Sequence, residues 1–342
     1  MFFKNRLIIE IRNHNIKILY ANSFNVTNCD TLKIPDGSIE NYKILNMDVI
    51  YDLIDKYLIE NKINATQVSF VLDGPDISVR FMEVPVMSNK SIMEYIEWDL
   101  NEFLPELGSN SYFDFEIIQK IKTEEKKVYK LFVVAVAKER IERLLELSKR
   151  LDLKLRCIDM ASNCMARVFK NVYKIDKKIS DFGIITIGKH TSSFIIIDSG
   201  KPFIERKVPF NISNVLTEIT KDKEMDEVSA LNYLQNVYDF EDINQDEQLH
   251  NKISSHFENV FLTYERVIQF YTNGKVKKSL DKIFILTDGM DFNNIDKYVE
   301  KYFSTDTEII NSVHRLMINT KFPSGSNFTQ YINCLGILLR KE

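Results

Sequence analysis

The chain has 342 residues, 44% of them hydrophobic and 27% charged, the balance of a folded globular protein rather than a disordered one. With 45 Lys and Arg against 49 Asp and Glu, the formal net charge of −4 leaves no bulk positive field for nucleic acid or anionic lipid. The length exceeds one compact core and points to two domains or one large fold of two lobes.

The longest uninterrupted apolar run, Leu131 to Ala137, is far below the roughly 18 residues of a membrane span. Lys4, Arg6, Glu10 and Arg12 interrupt the first apolar stretch, so a signal-peptide core is not expected. The four cysteines, Cys29, Cys157, Cys164 and Cys334, lie at no metal-finger or redox spacing; Cys157 and Cys164, flanking a strand-to-helix junction, read as small buried apolar residues. Ten glycines are about 3% of the chain against an average near 7%. Neither GxGxxG nor GxxxxGK[ST] occurs, which excludes the dinucleotide fingerprint and the P-loop.

In chain order, Leu7 to Ile11 and Ile16 to Ala21 read as a hairpin, and Pro35, Asp36 and Gly37 as a turn. Val49, Ile50, Leu53, Ile54, Tyr57 and Leu58 recur at helical spacing. Strands follow at Gln67 to Leu72 and Ile77 to Val84, around a turn at Asp73, Gly74 and Pro75. Pro85 ends the second strand; Ser88 or Ser91 starts a helix with Ile92, Ile96, Leu100 and Phe103 on one face. Phe113 to Gln119 and Val128 to Ala137 pair around the charged tip KIKTEEKK, and a helix from Lys138 to Leu151 leads to a strand through Leu155 and Ile158. The order from Gln67 is β-β-α-β-β-α-β, a small α/β layer unit. The second half opens with three strands, Phe182 to Ile187, Ser193 to Asp198 and Phe203 to Val208. A helical stretch of about sixty residues comes next, including Glu224 to Gln235 and a long amphipathic segment with Ile253, Phe257, Val260, Phe261, Tyr264, Val267, Ile268 and Tyr271. Then follow a strand at Lys282 to Thr287, a helix near Asn293 to Tyr302, a strand at Glu308 to Ile310 and a closing helix from Phe328 to Leu339. Two halves that each open with antiparallel strands suggest a duplicated architecture.

Several stretches in this order carry a resemblance: IPDGSIENYKIL; RFMEVPVM with Arg80 and Pro85; IEWDLNEFLP with Glu97 and Pro105; FDFEII; VVAVAKERIERLLELSKRLDLKLRCIDM; Phe203 with Arg206; ERVIQFY with Arg266 and Tyr271; TEIINSV and YINCLGILLR. The chain resembles the PilM family of type IV pilus assembly, relatives of the division protein FtsA, over essentially its whole length. The resemblance implies an α/β, actin-like (ribonuclease-H-like) fold of two lobes with an FtsA-type outer subdomain in the first. The expected divisions are 1–66 with 159–180 for the first-lobe core and 67–158 for its outer, partner-binding subdomain. The second-lobe core is expected at 181–210 with 275–342, and its helical outer subdomain at 211–274. The implied function is a cytoplasmic scaffold, peripheral to the inner face of the membrane through its partners. It binds the cytoplasmic tail of a PilN-like membrane protein, with a pilus assembly ATPase as a second partner. Arg80 and Trp98 are the nominated partner contacts. No nucleic acid, no direct membrane insertion and no tether helix after GILLR are expected.

The family's first phosphate loop, like G-I-D-I-G-S-S-S-V-K, falls on Ile8 to Lys17. Its glycines are replaced by Ile8 and Arg12, Glu10 keeps a carboxylate, Asn13 sits at the turn and Lys17 is retained. The second loop falls on Thr186, Ile187 and Gly188, followed by Lys189 and a run of hydroxyls; the carboxylate for a magnesium-bound water is gone. A further Gly-Gly pair falls on Asn211 and Ile212, and the adenosine-side pair on Asp288 and Gly289. Asp288 would repel phosphates unless a metal intervened. Glu10, Asn13, Lys17, Gly188, Lys189 and Gly289 are therefore the residues of an eroded ATP site. The expectation is that the protein is no enzyme and requires no cofactor, the alternative being a nucleotide-regulated ATPase that binds Mg-ATP. His14 and His190 read as polar turn residues rather than ligands, and the many aromatic side chains as core.

Overall fold

The computed structural model describes residues 5–74, 76–103, 110–122, 127–175, 179–242, 246–273 and 279–340. Pro75, Pro105 and the hairpin tip 123–126, as well as the side chain of Phe103, lie outside them.

The amino-terminal apolar segments form strands β1 (Asn5–Ile11) and β2 (Asn15–Asn22), as their alternation and turn predict. A third strand, β3 (Asn25–Lys33), was not expected. It buries only Val26 and Cys29 and leaves its other face largely to solvent, so its sequence carries little apolar signal. Helix α1 (Met47–Glu60) starts at Asn46, whose side chain accepts from Val49 N at 3.2 Å, and buries Ile50, Ile54 and Tyr57. Strand β6 (Gln67–Leu72) is fully apolar on both faces after its first residue except for Ser69. It belongs with β10 (Lys154–Met160) to a five-stranded sheet of order β10-β6-β1-β2-β3. Two short strands, β4 (Ile39–Glu40) and β5 (Lys43–Ile44), pair with each other.

Strands β7 (Ser78–Pro85), β8 (Ser111–Lys122) and β9 (Lys127–Ala137) make an antiparallel sheet of order β7-β9-β8. Helix α2 (Asn89–Phe103) covers it: Ile92, Ile96 and Leu100 meet Val84, Leu131, Val133 and Ala135 in a closed apolar cluster. Ser88, not Ser91, caps this helix, accepting from Ser91 N at 3.2 Å. Helix α3 (Lys138–Arg150) follows β9 directly and buries Leu144 and Leu147.

After α4 (Ala161–Val168) and α5 (Lys170–Ile175), a second five-stranded sheet is built. Strands β11 (Asp181–Ile187), β12 (Thr191–Asp198) and β13 (Lys201–Pro209) form the predicted meander, and β14 (Lys282–Leu286) and β15 (Thr307–Ile309) add in parallel beyond β11. Its order, β13-β12-β11-β14-β15, repeats the connectivity of the first sheet: three consecutive strands, then two later ones on the far side of the first. The duplication inferred from segment order is therefore a duplication of topology.

The helical stretch divides into α6 (Ile212–Lys223), α7 (Glu227–Asn236) and α8 (Glu247–Thr272). The helix expected from Glu224 begins at Glu227 instead, because Glu224 is left-handed (φ 50°) and the Asp226 carboxylate accepts from Ser229 N at 2.8 Å. Helix α9 (Ile295–Phe303) precedes β15. The closing helix is likewise shorter than expected: Asn327 caps a 3-10 turn over Phe328–Tyr331, and α10 runs Ile332–Leu338.

Contacts divide the chain into two compact units. One comprises Met1–Ile8, Lys17–Asp30 and Asp159–Glu342, the other Ile9–Ile16 and Thr31–Ile158.

Candidate functional site

In the unit that contains the second sheet, three segments converge on Lys17. This lysine lies on β2 between buried Ile16 and Ile18 and is itself only 2% exposed. Burial of an ammonium costs free energy unless it is paired and hydrogen-bonded. Lys17 Nζ meets Asp288 Oδ1 at 2.5 Å and donates to the Gln330 carbonyl at 2.7 Å. Asp288 stands in the turn just after β14, at φ 46°, a conformation that Asp tolerates better than most side chains. Met290 N closes that turn on Thr287 O at 2.9 Å. Gln330 belongs to the 3-10 turn before α10.

Two of the predicted glycines sit in the same place. Gly188 ends the β11–β12 hairpin, donating to Thr191 O at 3.0 Å; a Cβ there would stand 2.9 Å from that oxygen and 3.2 Å from Asp288 Oδ2. Gly289 (φ +88°) donates to Thr329 Oγ1 at 3.1 Å, and a Cβ there would overlap the Gln330 side chain. Lys17, Gly188 and Gly289 are thus brought together. Lys189 is exposed, and its carbonyl accepts from Ile212 N at 2.9 Å, at the start of α6. Asn211 caps that helix, accepting from Ser213 N at 3.1 Å. Thr329 and Gln330 were missed by sequence reading, and no local motif marks them.

Glu10 and Asn13 belong to the other unit. Glu10 is fully buried and bonds Arg12, whose Nε and Nη2 each lie 2.9 Å from Oε1; Asp73 Oδ2 lies 4.0 Å from the same guanidinium. The Arg12 side chain is therefore folded back onto Glu10. Asn13 Oδ1 accepts from Tyr42 N at 2.7 Å and holds a residue at φ 63°.

This fixes the wall of a cleft within the unit. Its floor is Ile11, Ile44, Leu72 and Leu144, and its more exposed lining is Tyr42, Lys43, Glu139 and Arg143. Arg140 is buried on α3, pairs with Asp76, donates to the Asp73 carbonyl and lies over the Tyr42 ring, 5.5 Å from its centroid. Burial pulls the guanidinium below its ordinary pKa, against the opposing pull of Asp76, and burial raises the Tyr42 phenol. Arg140→Leu is expected to cost about 2 kcal/mol in urea unfolding. That is less than the 3–5 of a fully buried pair, because Asp76 remains 30% exposed. An unchanged midpoint would refute the structural role.

Arg80 Nη1 bonds Asp99 Oδ2 at 2.5 Å and ties β7 to α2. Trp98 is 55% exposed beside Tyr95, their ring centroids 5.8 Å apart. Among the described residues, no group of three or more His, Cys, Asp or Glu side chains could hold a metal ion, and no helix is long and apolar enough to cross a membrane.

Residues 9–341 match the family described as type IV pilus assembly protein PilM. Among solved structures, the chain is similar to the PilM-PilN type IV pilus biogenesis complex at 15% identity and TM-score 0.76, covering 98% of this chain and 99% of that one. It is also similar to MreB5 of Spiroplasma citri bound to ADP (13% identity, TM-score 0.55, 98% and 96% covered). A third similarity is to the ethanolamine utilization protein EutJ of Carboxydothermus hydrogenoformans (9%, 0.52, 98% and 89%). No curated protein matches the sequence. At these identities the likeness carries the fold, that of the actin-like ATPases.

Proposed function

Because the chain belongs to the type IV pilus assembly protein PilM family, we propose that it is a non-hydrolysing scaffold of that assembly, holding the cytoplasmic tail of a PilN-like membrane protein. It sits in the cytoplasm, peripheral to the membrane through that partner, with a pilus assembly ATPase as a second contact. The family match over nearly the whole chain carries the reading. A solved relative of the same fold is a PilM-PilN complex, which supports the choice of partner.

The tail docks in the cleft between α3 and the Tyr42–Ile44 segment. Its apolar floor, with the half-buried Arg143 guanidinium beside it as a donor for a main-chain carbonyl, suits a short extended peptide. Calorimetric titration of the folded protein with a synthetic PilN-like tail is expected to give saturable binding. Arg143 is 39% exposed and pairs only with its own helix through Glu146, at 3.2 Å, among the contacts described. Arg143→Glu should therefore leave the fold intact and weaken binding at least about tenfold, or 1.4 kcal/mol. A tail that reaches α2 also loses affinity in Trp98→Ala, and Arg80 acts there by placing α2 through Asp99. A tail that binds neither wild type nor variants would end the proposal.

A further inference from the structure

The fold of the actin-like ATPases implies a nucleotide with its magnesium ion, and one similar structure holds ADP. The residues around Lys17 do not fit that group. Two acceptors already take the buried ammonium, the Asp288 carboxylate at 2.5 Å and the Gln330 carbonyl at 2.7 Å. The second carboxylate oxygen of Asp288 stands against the open face of Gly188, 3.2 Å from where a Cβ would be. The face of Gly289 is filled by the Gln330 side chain. An arriving phosphate would meet a fixed negative charge where it needs a positive one, in a place with little water to screen it.

We propose that Asp288 is a built-in replacement for a bound phosphate: its carboxylate permanently supplies the counter-charge of Lys17. One ammonium thereby joins β2, the turn after β14 and the turn before α10, so that this unit holds its ligand-filled arrangement with no nucleotide. The two partners are 271 positions apart in sequence, so the pair clamps segments that chain continuity does not. An isolated exposed ion pair would do little of this, but here the lysine side chain is 3% exposed and the aspartate 14%.

The inference stands apart from the identity of any docking partner, and chemical rescue tests it. Wild-type protein is expected to show no change in melting temperature with Mg-ATP or inorganic pyrophosphate. Asp288→Ala leaves Lys17 buried without its anion; it should melt several degrees lower and regain most of the loss in inorganic phosphate or pyrophosphate. The double variant Lys17→Met with Asp288→Ala should not respond to either anion. Asp288→Asn, which keeps the side-chain shape, should show the same anion dependence and covers the case in which the alanine variant does not fold. If neither folds, recovery of soluble protein only when refolded in phosphate carries the same meaning. Stabilisation of the wild type by Mg-ATP would overturn the proposal. So would variants indifferent to phosphate in melting and refolding, or rescue that persists without Lys17. None of these outcomes bears on the peptide titration, so the two readings fail separately.

Discussion

Phe257→Ala protein unfolds with about 3–5 kcal/mol less free energy than wild type, the cost of emptying a large buried aromatic site. Phe257 is 1% exposed on the inner face of α8. Its ring packs against Phe210 (5.1 Å between centroids), Phe240 (5.0 Å, edge-on) and Phe292 (5.7 Å, edge-on). These three come from the segment before α6, the loop after α7 and the turn before α9, so one side chain joins four parts of the chain. Edge-to-face rings are rigid neighbours, and a rigid lining collapses poorly into a cavity, which places the loss toward the upper end of the range. Leu262, on the opposite face of the same helix and 49% exposed, provides the internal control: its alanine variant should stay within about 0.5 kcal/mol. A guanidinium titration of both variants decides the matter, and a Phe257→Ala loss below that of the control would contradict this core.

Gly336→Val is expected to be as damaging for the opposite reason, excess volume. A Cβ at 336 would lie 2.5 Å from the Cα, Cβ and O of Cys164, so α10 touches the backbone of α4 directly. Overpacking commonly costs about 1–3 kcal/mol when neighbours can shift. Here they are held. Arg167 Nη1 donates to the Gly336 carbonyl at 2.8 Å, and Arg167 and Arg340 both bond the buried Asp159 carboxylate, at 2.8 and 3.0 Å. Arg6 Nη1 donates to the Leu338 carbonyl at 2.7 Å. Retreat of α10 would break several charge-assisted bonds and drag the preceding turn, with Gln330, away from Lys17. The valine variant should lose more than about 3 kcal/mol or fail to fold, with Gly336→Ala intermediate. A valine variant that melts with the wild type would mean the two helices are not in backbone contact.

The legible parts of the fold were those with strong local pattern. Gln67–Leu72, the β11–β13 meander and the α8 stripe of Ile253, Phe257, Val260, Phe261 and Tyr264 announce themselves by period, and the structure has them at those positions. Strand β3 was invisible, because Val26 and Cys29 alone do not make an alternation. The break at Glu224 was missed because Asp226 acts as a cap only through its bond to Ser229 N, and a mid-helix aspartate looks no different in a window of residues.

For the site, the resemblance read from the sequence nominated Lys17, Gly188 and Gly289, the positions that match the family's phosphate and adenosine loops. It also noted the negative charge that Asp288 would bring. Charge and position are local properties, and they persist in any conformation of the chain. Which groups neutralise one another is not local. Only folding sets Asp288 and the Gln330 carbonyl on Lys17, folds Arg12 back onto Glu10, and seats Arg140 on Asp76 and the Asp73 carbonyl. The physical reason is that a buried cation must be paired wherever it lands, and the backbone path, rather than residue type, determines which acceptor arrives there.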